Sequence, residues 1–154
     1  MSAAFEYPSE TYRLMTEHDL PVILDMEQRS YEFPWTEGIF HDCLRFGYSS
    51  WVLEMDRKII GYGIMSLAVQ ECHILNLCVD SEHQGRGVGR RLLDQLLTIA
   101  RARKTDTAFL EVRPTNVQAL SLYFSEGFEE IGTRRNYYPA LFGREDAVIL
   151  AKAL

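Results

Sequence analysis

The sequence predicts a mixed α/β domain over residues 1–154. Its sheet is mostly antiparallel and twisted, with about seven strands flanked by about four helices. Three observations predict it. Apolar residues crowd into strand-length runs between Trp51 and Val79, then recur at helical spacing from Gly89 to Arg103. Short turns join the strands of the first half, which makes them antiparallel neighbours. After Val79 the chain alternates helix and strand and closes on a hairpin.

The elements follow in order. Thr11–Met15 is a short strand. Thr16 and Asp19 form a capping-box pattern that opens a helix of roughly 14 residues. Its apolar positions Leu20, Ile23, Leu24 and Met26 recur at helical spacing. Phe33-Pro34-Trp35 breaks the chain, and Thr36 caps a second helix with Ile39, Phe40, Cys43 and Leu44 inward. Trp51–Met55 is a strand, Asp56-Arg57-Lys58 a turn, Ile59–Val69 a long strand and Cys72–Val79 a third. The helix from Gly89 to Arg103 buries Val88, Leu92, Leu93, Leu96, Leu97 and Ile99. Thr107–Val112 is a strand, and Asn116–Glu126 is a helix stopped by Gly127. Glu130–Asn136 and Asp146–Leu150 close the domain.

Composition narrows the class. Apolar residues make up 47% and charged residues 25%, the balance of a soluble globular protein. No apolar run approaches the ~18–20 residues of a membrane span. Met1–Pro8 has no basic patch or apolar core, so it does not read as a signal peptide. A net charge of −6 argues against direct nucleic-acid binding. The charge is unevenly placed: residues 1–40 hold eight acids and two bases, and residues 41–154 hold fourteen of each. The acidic segment is either a solvated helix face or a surface that meets a basic partner. Cys72 and Cys78 lie on one strand roughly 20 Å apart, too far for a disulfide. Reduced thiols in a cytoplasmic protein are the expectation. The histidines show no zinc-ligand spacing, so no metal is expected and they read as surface or core residues.

The most informative segment is Val79-Asp80-Ser81-Glu82-His83-Gln84-Gly85-Arg86-Gly87-Val88-Gly89-Arg90-Arg91, between a strand and a helix. Glycines let backbone approach a ligand and aim several N–H groups at one spot, and the helix start adds a positive dipole end. Both suit a pyrophosphate. A Walker loop needs Gly-Lys-Ser/Thr, but Gly89 is followed by Arg90-Arg91. A dinucleotide fold needs a third glycine at position 90, which is arginine. What remains is a Gln-x-x-Gly-x-Gly loop, Gln84, Gly87 and Gly89, before a helix. Residues 86–104 carry six bases against one acid. An exposed basic helix behind a glycine turn is the plainer reading.

On these residues the chain resembles the GNAT-type N-acetyltransferases. The loop Gln84–Gly89 matches that family's pyrophosphate signature, and the order of elements matches along nearly the whole chain. Phe33-Pro34-Trp35, Leu110–Arg113, Asn116, Leu122-Tyr123, Glu126–Phe128, Arg134–Pro139 and Gly143–Ala147 are similar to the branch that acetylates the N-terminal alanine of a ribosomal protein. The resemblance implies acetyl-CoA as donor, the free α-amine of a basic ribosomal protein as acceptor, and direct attack in a ternary complex. It implies that Leu77, Cys78 and Val79 contact the acetyl and pantetheine part. It also implies that Gly85, Arg86, Gly87, Val88, Gly89 and Arg90 hold the pyrophosphate and that Asn116 touches the donor. Glu111 becomes the general base and Tyr123 the general acid. Against the family's pattern Met1–Pro8 looks like an extra leader and the C-terminal tail is short. A monomer without a membrane partner is expected.

The residues allow plainer readings too. Phe109, Glu111 and Arg113 share one face of their strand, and an ion pair from Glu111 to Arg113 or Arg135 is the alternative to a base. Tyr123 is a base-range phenol: concerted transfer, or a pKa lowered by the helix environment, is what lets it protonate a thiolate. Its alternative is packing beside Leu120 and Phe124. Backbone N–H groups at Cys78 or Val79 are the natural oxyanion donors. The Cys78 side chain reads as a small core residue, since no histidine is spaced to activate it. Residues 28–38 and a Tyr137-Tyr138 turn form the acceptor side, with Trp35, Tyr137 and Tyr138 packing along a peptide; Trp35 and Tyr138 read equally as core. Two other functions fit the same residues, a GNAT enzyme for a small cationic amine and a non-catalytic acyl-CoA-binding regulator.

Overall fold

The computed structural model describes residues 9–154, and the leader reading of Met1–Pro8 lies outside them. The chain starts with β1 (Glu10–Leu14), then a 3-10 turn at Glu17–Asp19 that runs into α1 (Leu20–Ser30). The capping box is present: Asp19 Oδ2 accepts from the Thr16 backbone at 2.8 Å, and the side chain also meets Thr16 Oγ1. Thr16 leaves the helix proper to begin one turn later, with Pro21 in its first turn. α2 (Glu37–Arg45) is capped by Thr36, whose side chain accepts from the Ile39 N–H.

The meander is β2 (Ser49–Met55), β3 (Lys58–Leu67) and β4 (Glu71–Val79). Asp56 and Arg57 sit at φ 52° and 65°, the pair of left-handed residues that a two-residue hairpin requires. Then come α3 (Val88–Ala102), β5 (Thr107–Val112), α4 (Val117–Ser125), β6 (Glu129–Pro139) and β7 (Arg144–Ala153). The last hairpin is longer than its apolar residues announce, because its tip is held by charged side chains. Tyr137 and Tyr138 therefore lie within a strand and not in a turn.

The seven strands form one sheet in the order β1-β2-β3-β4-β5-β7-β6. β4 and β5 are the parallel pair, joined through α3, and every other neighbour is antiparallel. α3 and α4 pack with β5 and β7 around Leu93, Leu96, Leu110, Tyr123, Phe128 and Leu150. α1 and α2 pack on a second cluster around Ile23, Met26, Phe40, Tyr62 and Ile64. α3 seats closely on β3 because position 63 is glycine: a Cβ there would lie 2.7 Å from Leu96 Cδ1. Ile39 departs from expectation. It is 40% exposed, since α2 turns Phe40 and Cys43 into the core.

Candidate active site

β4 and β5 pair only from Glu71↔Thr107 to Ile74↔Leu110. Beyond that, β4 is bonded to β3 alone and β5 to β7 alone. The cause is local. Ile64 pairs with Asn76 and Met65 with Ile74, which leaves Leu75 as an extra residue on β4. A bulge of this kind bends a strand and re-aims its side chains. Ile74 packs with α3, whereas Cys78, four residues on, packs with α1 and α2. The wedge between the splayed strands is a cavity of about 980 Å³, and Glu27, Trp35, Leu77, Glu111, Asn116, Tyr123 and Tyr138 all line it. A second hollow, about 650 Å³ beside Thr16 and His41, holds none of the predicted site residues.

Glu111 projects from β5 on the face opposite Leu110 and Val112. Its side chain is 7% exposed. The ion-pair alternative names the wrong partners: Oε1 meets Arg134 Nε at 3.3 Å, and Oε2 is bonded to His73 Nε2. Arg113 turns instead to the Pro139 carbonyl and Glu145. His73 is no idle surface residue. It sits on β4 in register with Phe109, so the parallel pairing sets its ring beside Glu111.

Tyr123 is 8% exposed, stacks edge-on against Phe128 at 5.7 Å and lines the cavity. Its plain packing partner is therefore Phe128, while Phe124 is 48% exposed. Burial pushes the Tyr123 phenol up to about 12, so the lowered-pKa expectation is overturned. The helix environment fails to lower it because the ring sits on the apolar side of α4. Burial likewise raises the Cys78 thiol, which suits a core residue and not a nucleophile.

The glycine loop lies beyond the cavity wall. Gly85 and Gly87 have φ 76° and 75°, and Gly87 occupies the N-cap of α3. The first intrahelical bond there runs from Arg91 N to Gly87 O, so the amides of Val88, Gly89 and Arg90 have no partner within the helix. A Cβ at Gly85 would meet nothing within 4 Å, so the backbone is open to approach. The Arg90 and Arg91 side chains are not free for an anion. Arg90 is bonded to Glu126 and Ser125, and Arg91 reaches Glu10 and the Arg86 carbonyl. The open groups of this loop are its backbone amides, which suit an anion, and at Arg90 the N–H is open while the guanidinium is engaged. Asn116 spends its Oδ1 on capping α4, accepting from Ala119 N at 3.1 Å.

The far wall joins the two strands of the last hairpin. Arg144 donates to the carbonyls of Asn136 and Tyr137, and the Asn136 N–H donates to Asp146. Asn136 sits at φ 53°, where the β6 register slips between Arg134 and Tyr138. The slip aims Tyr138 at the cavity; Tyr137 lies outside its lining. The Arg113 guanidinium stacks on Tyr138 at 4.4 Å and Phe33 at 5.3 Å, bridging the two walls. Burial raises the Tyr138 phenol, helped by Tyr137 and Glu111. Trp35 packs tilted on Phe40, so it is both a cavity residue and part of the α2 packing.

Sequence reasoning missed Glu27. It is 2% exposed. Its Oε1 accepts from Tyr62 Oη at 2.5 Å and Asn76 Nδ2 at 2.8 Å, and Oε2 from the Trp35 N–H at 3.0 Å. The signal was present: Glu27 stands four residues after Ile23 and seven after Leu20, on the apolar stripe of α1. Tyr31 adds a bond from its hydroxyl to the Leu77 carbonyl at 2.8 Å.

Splayed parallel strands, a cavity in the splay and a glycine loop at a helix start define a class. Residues 20–128 match the Acetyltransferase (GNAT) family, and the chain belongs to it. It is an N-acetyltransferase, and within the family it is similar to RimI. The [ribosomal protein bS18]-alanine N-acetyltransferase of Escherichia coli (strain K12) is 40% identical over 133 residues, 86% of this chain and 90% of that protein. Its counterpart in Salmonella typhimurium is 38% identical over 141 residues, 92% of this chain and 95% of that protein. The crystal structure of the Escherichia coli ribosomal-protein-S18-alanine N-acetyltransferase matches with a TM-score of 0.87 at 37% identity, covering 94% of each chain.

Proposed function

We propose that the chain transfers an acetyl group from acetyl-CoA to the free α-amine of an N-terminal alanine on ribosomal protein bS18, by direct attack in a ternary complex. One observation carries the reading: the splay of β4 from β5 opens a cavity that takes in both Glu111 and Tyr123. The relatives' acceptor supports it.

Acetyl-CoA supplies a thioester carbonyl and a thiol leaving group. The residues suited to hold it are the backbone of Leu77, Cys78 and Val79, the amides of Gly85 to Arg90, and Asn116. An α-amine with pKa ~7.8 is roughly 14% neutral at pH 7, against about 0.04% for a lysine. The α-amine therefore starts some 300-fold ahead and needs only mild base assistance. Glu111 serves as that base, held by His73 and Arg134. Tyr123, kept protonated by burial, serves as the acid. Protons balance. The α-ammonium nitrogen loses two: Glu111 takes one and releases it to solvent, and the other replaces the proton that Tyr123 gives to the departing sulfur. Trp35 and Tyr138 are the residues suited to flank the peptide; Tyr137, outside the cavity lining, is not.

The test is thiol release on an Ala-Arg-rich peptide with a free or blocked α-amine. Consumption of the free peptide alone is expected. Equal consumption of both, or turnover only with polyamines, overturns the assignment.

A further inference from the structure

Two of the carboxylates that line the cavity, Glu27 and Glu111, differ in their charge partners. Glu111 has Arg134 and His73. Glu27 has none: among the described residues no cation lies within ion-pair distance of it. The nearest basic residue of its own helix, Arg29, is turned to Asp25 and Asp80. Asn76 Nδ2 and the Trp35 N–H can only donate, and they bond different oxygens of Glu27. Both oxygens therefore accept, which fits a carboxylate. A carboxylate has about four lone-pair sites, and Glu27 has one left open, on Oε2. A buried anion braced only by neutral donors is costly, and a cation at the open site offsets that cost. The cation has to enter through the cavity.

We propose that Glu27 is the docking anion for the acceptor's α-ammonium and so determines specificity for a charged N-terminus. The inference rests on the α-amine reading of the acceptor. At pH 7 about 86% of an α-amine arrives charged. Glu27 binds that form. One ammonium N–H bond then breaks as an O–H bond forms on Glu111, leaving a neutral amine with its lone pair and a neutral Glu111 carboxyl. Glu27 stays ionised and takes no proton. The Trp35 N–H bond also ties the loop at 31–36 to this anion, so the peptide channel and the charge that selects it share one anchor.

The experiment measures peptide binding to the full chain in the presence of CoA, by calorimetry at pH 7. The probes are an alanyl peptide and its des-amino counterpart, in which propionyl replaces alanyl. Wild type is expected to prefer the alanyl peptide by about tenfold or more, the scale of a hydrogen bond to a charged group. Glu27→Gln is expected to bring the preference below about threefold. Glu27→Asp and Glu111→Gln should keep it. Tyr62→Phe removes a donor without touching charge and should keep it as well. A Glu27→Gln protein with the wild-type preference overturns the proposal. So does a Tyr62→Phe protein that loses as much, since packing then explains the effect. Normal turnover with no binding preference in wild type also overturns it while sparing the acceptor assignment. Absence of turnover on the free peptide ends both.

Discussion

Replacing Tyr123 with Phe removes one oxygen and leaves the ring packed on Phe128. The wild-type phenol stands at about 12 because it is buried. A thiol of ~8.5 lies about 3.5 units below it, so stepwise proton transfer is uphill by about 5 kcal/mol. Proton transfer therefore has to accompany C–S cleavage. Loss of such an acid costs ~10²–10⁴ in kcat. The assay is thiol release from pH 6 to 10.5, with acetyl-CoA and peptide varied in turn. Tyr123→Phe is expected to lower kcat by that factor, with KM for acetyl-CoA within about threefold of wild type. The sign of the pH dependence follows from the upward shift. A raised phenol keeps its proton as pH rises, so wild-type kcat stays level to about pH 10 and falls only on approach to 12. Solvent deuterium should slow the wild type and not the variant. A variant within about threefold of wild-type kcat, or an alkaline limb centred below about pH 9.5, refutes the reasoning.

Two further changes probe the ends of the site. Gly87→Ala places a Cβ 3.1 Å from Arg91 Nη1 at φ 75°. Thermal denaturation should show a loss of about 1 kcal/mol, and KM for acetyl-CoA should rise about tenfold with KM for peptide unchanged. An unchanged KM for acetyl-CoA would remove the loop from donor binding. His73→Ala takes a partner from Glu111 and leaves Arg134 beside it. kcat should fall about tenfold, with KM for acetyl-CoA within about threefold of wild type. A kcat within about threefold of wild type assigns His73 no part in the chemistry.

Most of the fold is legible in local signals. Thr107–Val112 is found at its true ends, and its burial alternates residue by residue along the strand. Gly127 at φ 91° stops α4 where a glycine stop belongs. The glycine loop is equally local. What the sequence hides is register. His73 and Glu111 stand 38 positions apart and meet only because β4 pairs parallel with β5. The Leu75 bulge, which opens the cavity, leaves no mark in composition. Arg134 rather than Arg135 reaches Glu111 on a strand that has already slipped between Glu130 and Gly132, and no spacing rule announces a slip. The Arg134–Pro139 and Gly143–Ala147 segments do carry a readable hint. They stand together because Arg144 and Asp146 bond the Asn136–Tyr137 backbone.

The acidic excess of the first 40 residues is neither a uniform solvated face nor a uniform docking surface. Glu10 is bonded to Arg91, Asp19 to Arg13 and Asp25 to Arg29, so three of those acids are neutralised within the fold. Glu17 and Glu37 flank His41, away from the cavity. Glu27 and Glu32 alone among the described acids of this segment line it. The charge available to an acceptor is therefore concentrated at the wall formed by the end of α1 and the loop after it. Glu111 adds little to that field, because Arg134 offsets it. Glu145 is paired with Arg113, so the unpaired charge of the cavity comes from Glu27 and Glu32, which favours a cationic N-terminus on a basic chain. In the proposed mechanism the attraction then lies on one wall and the base on another, so that one carboxylate holds the acceptor while the second takes its proton.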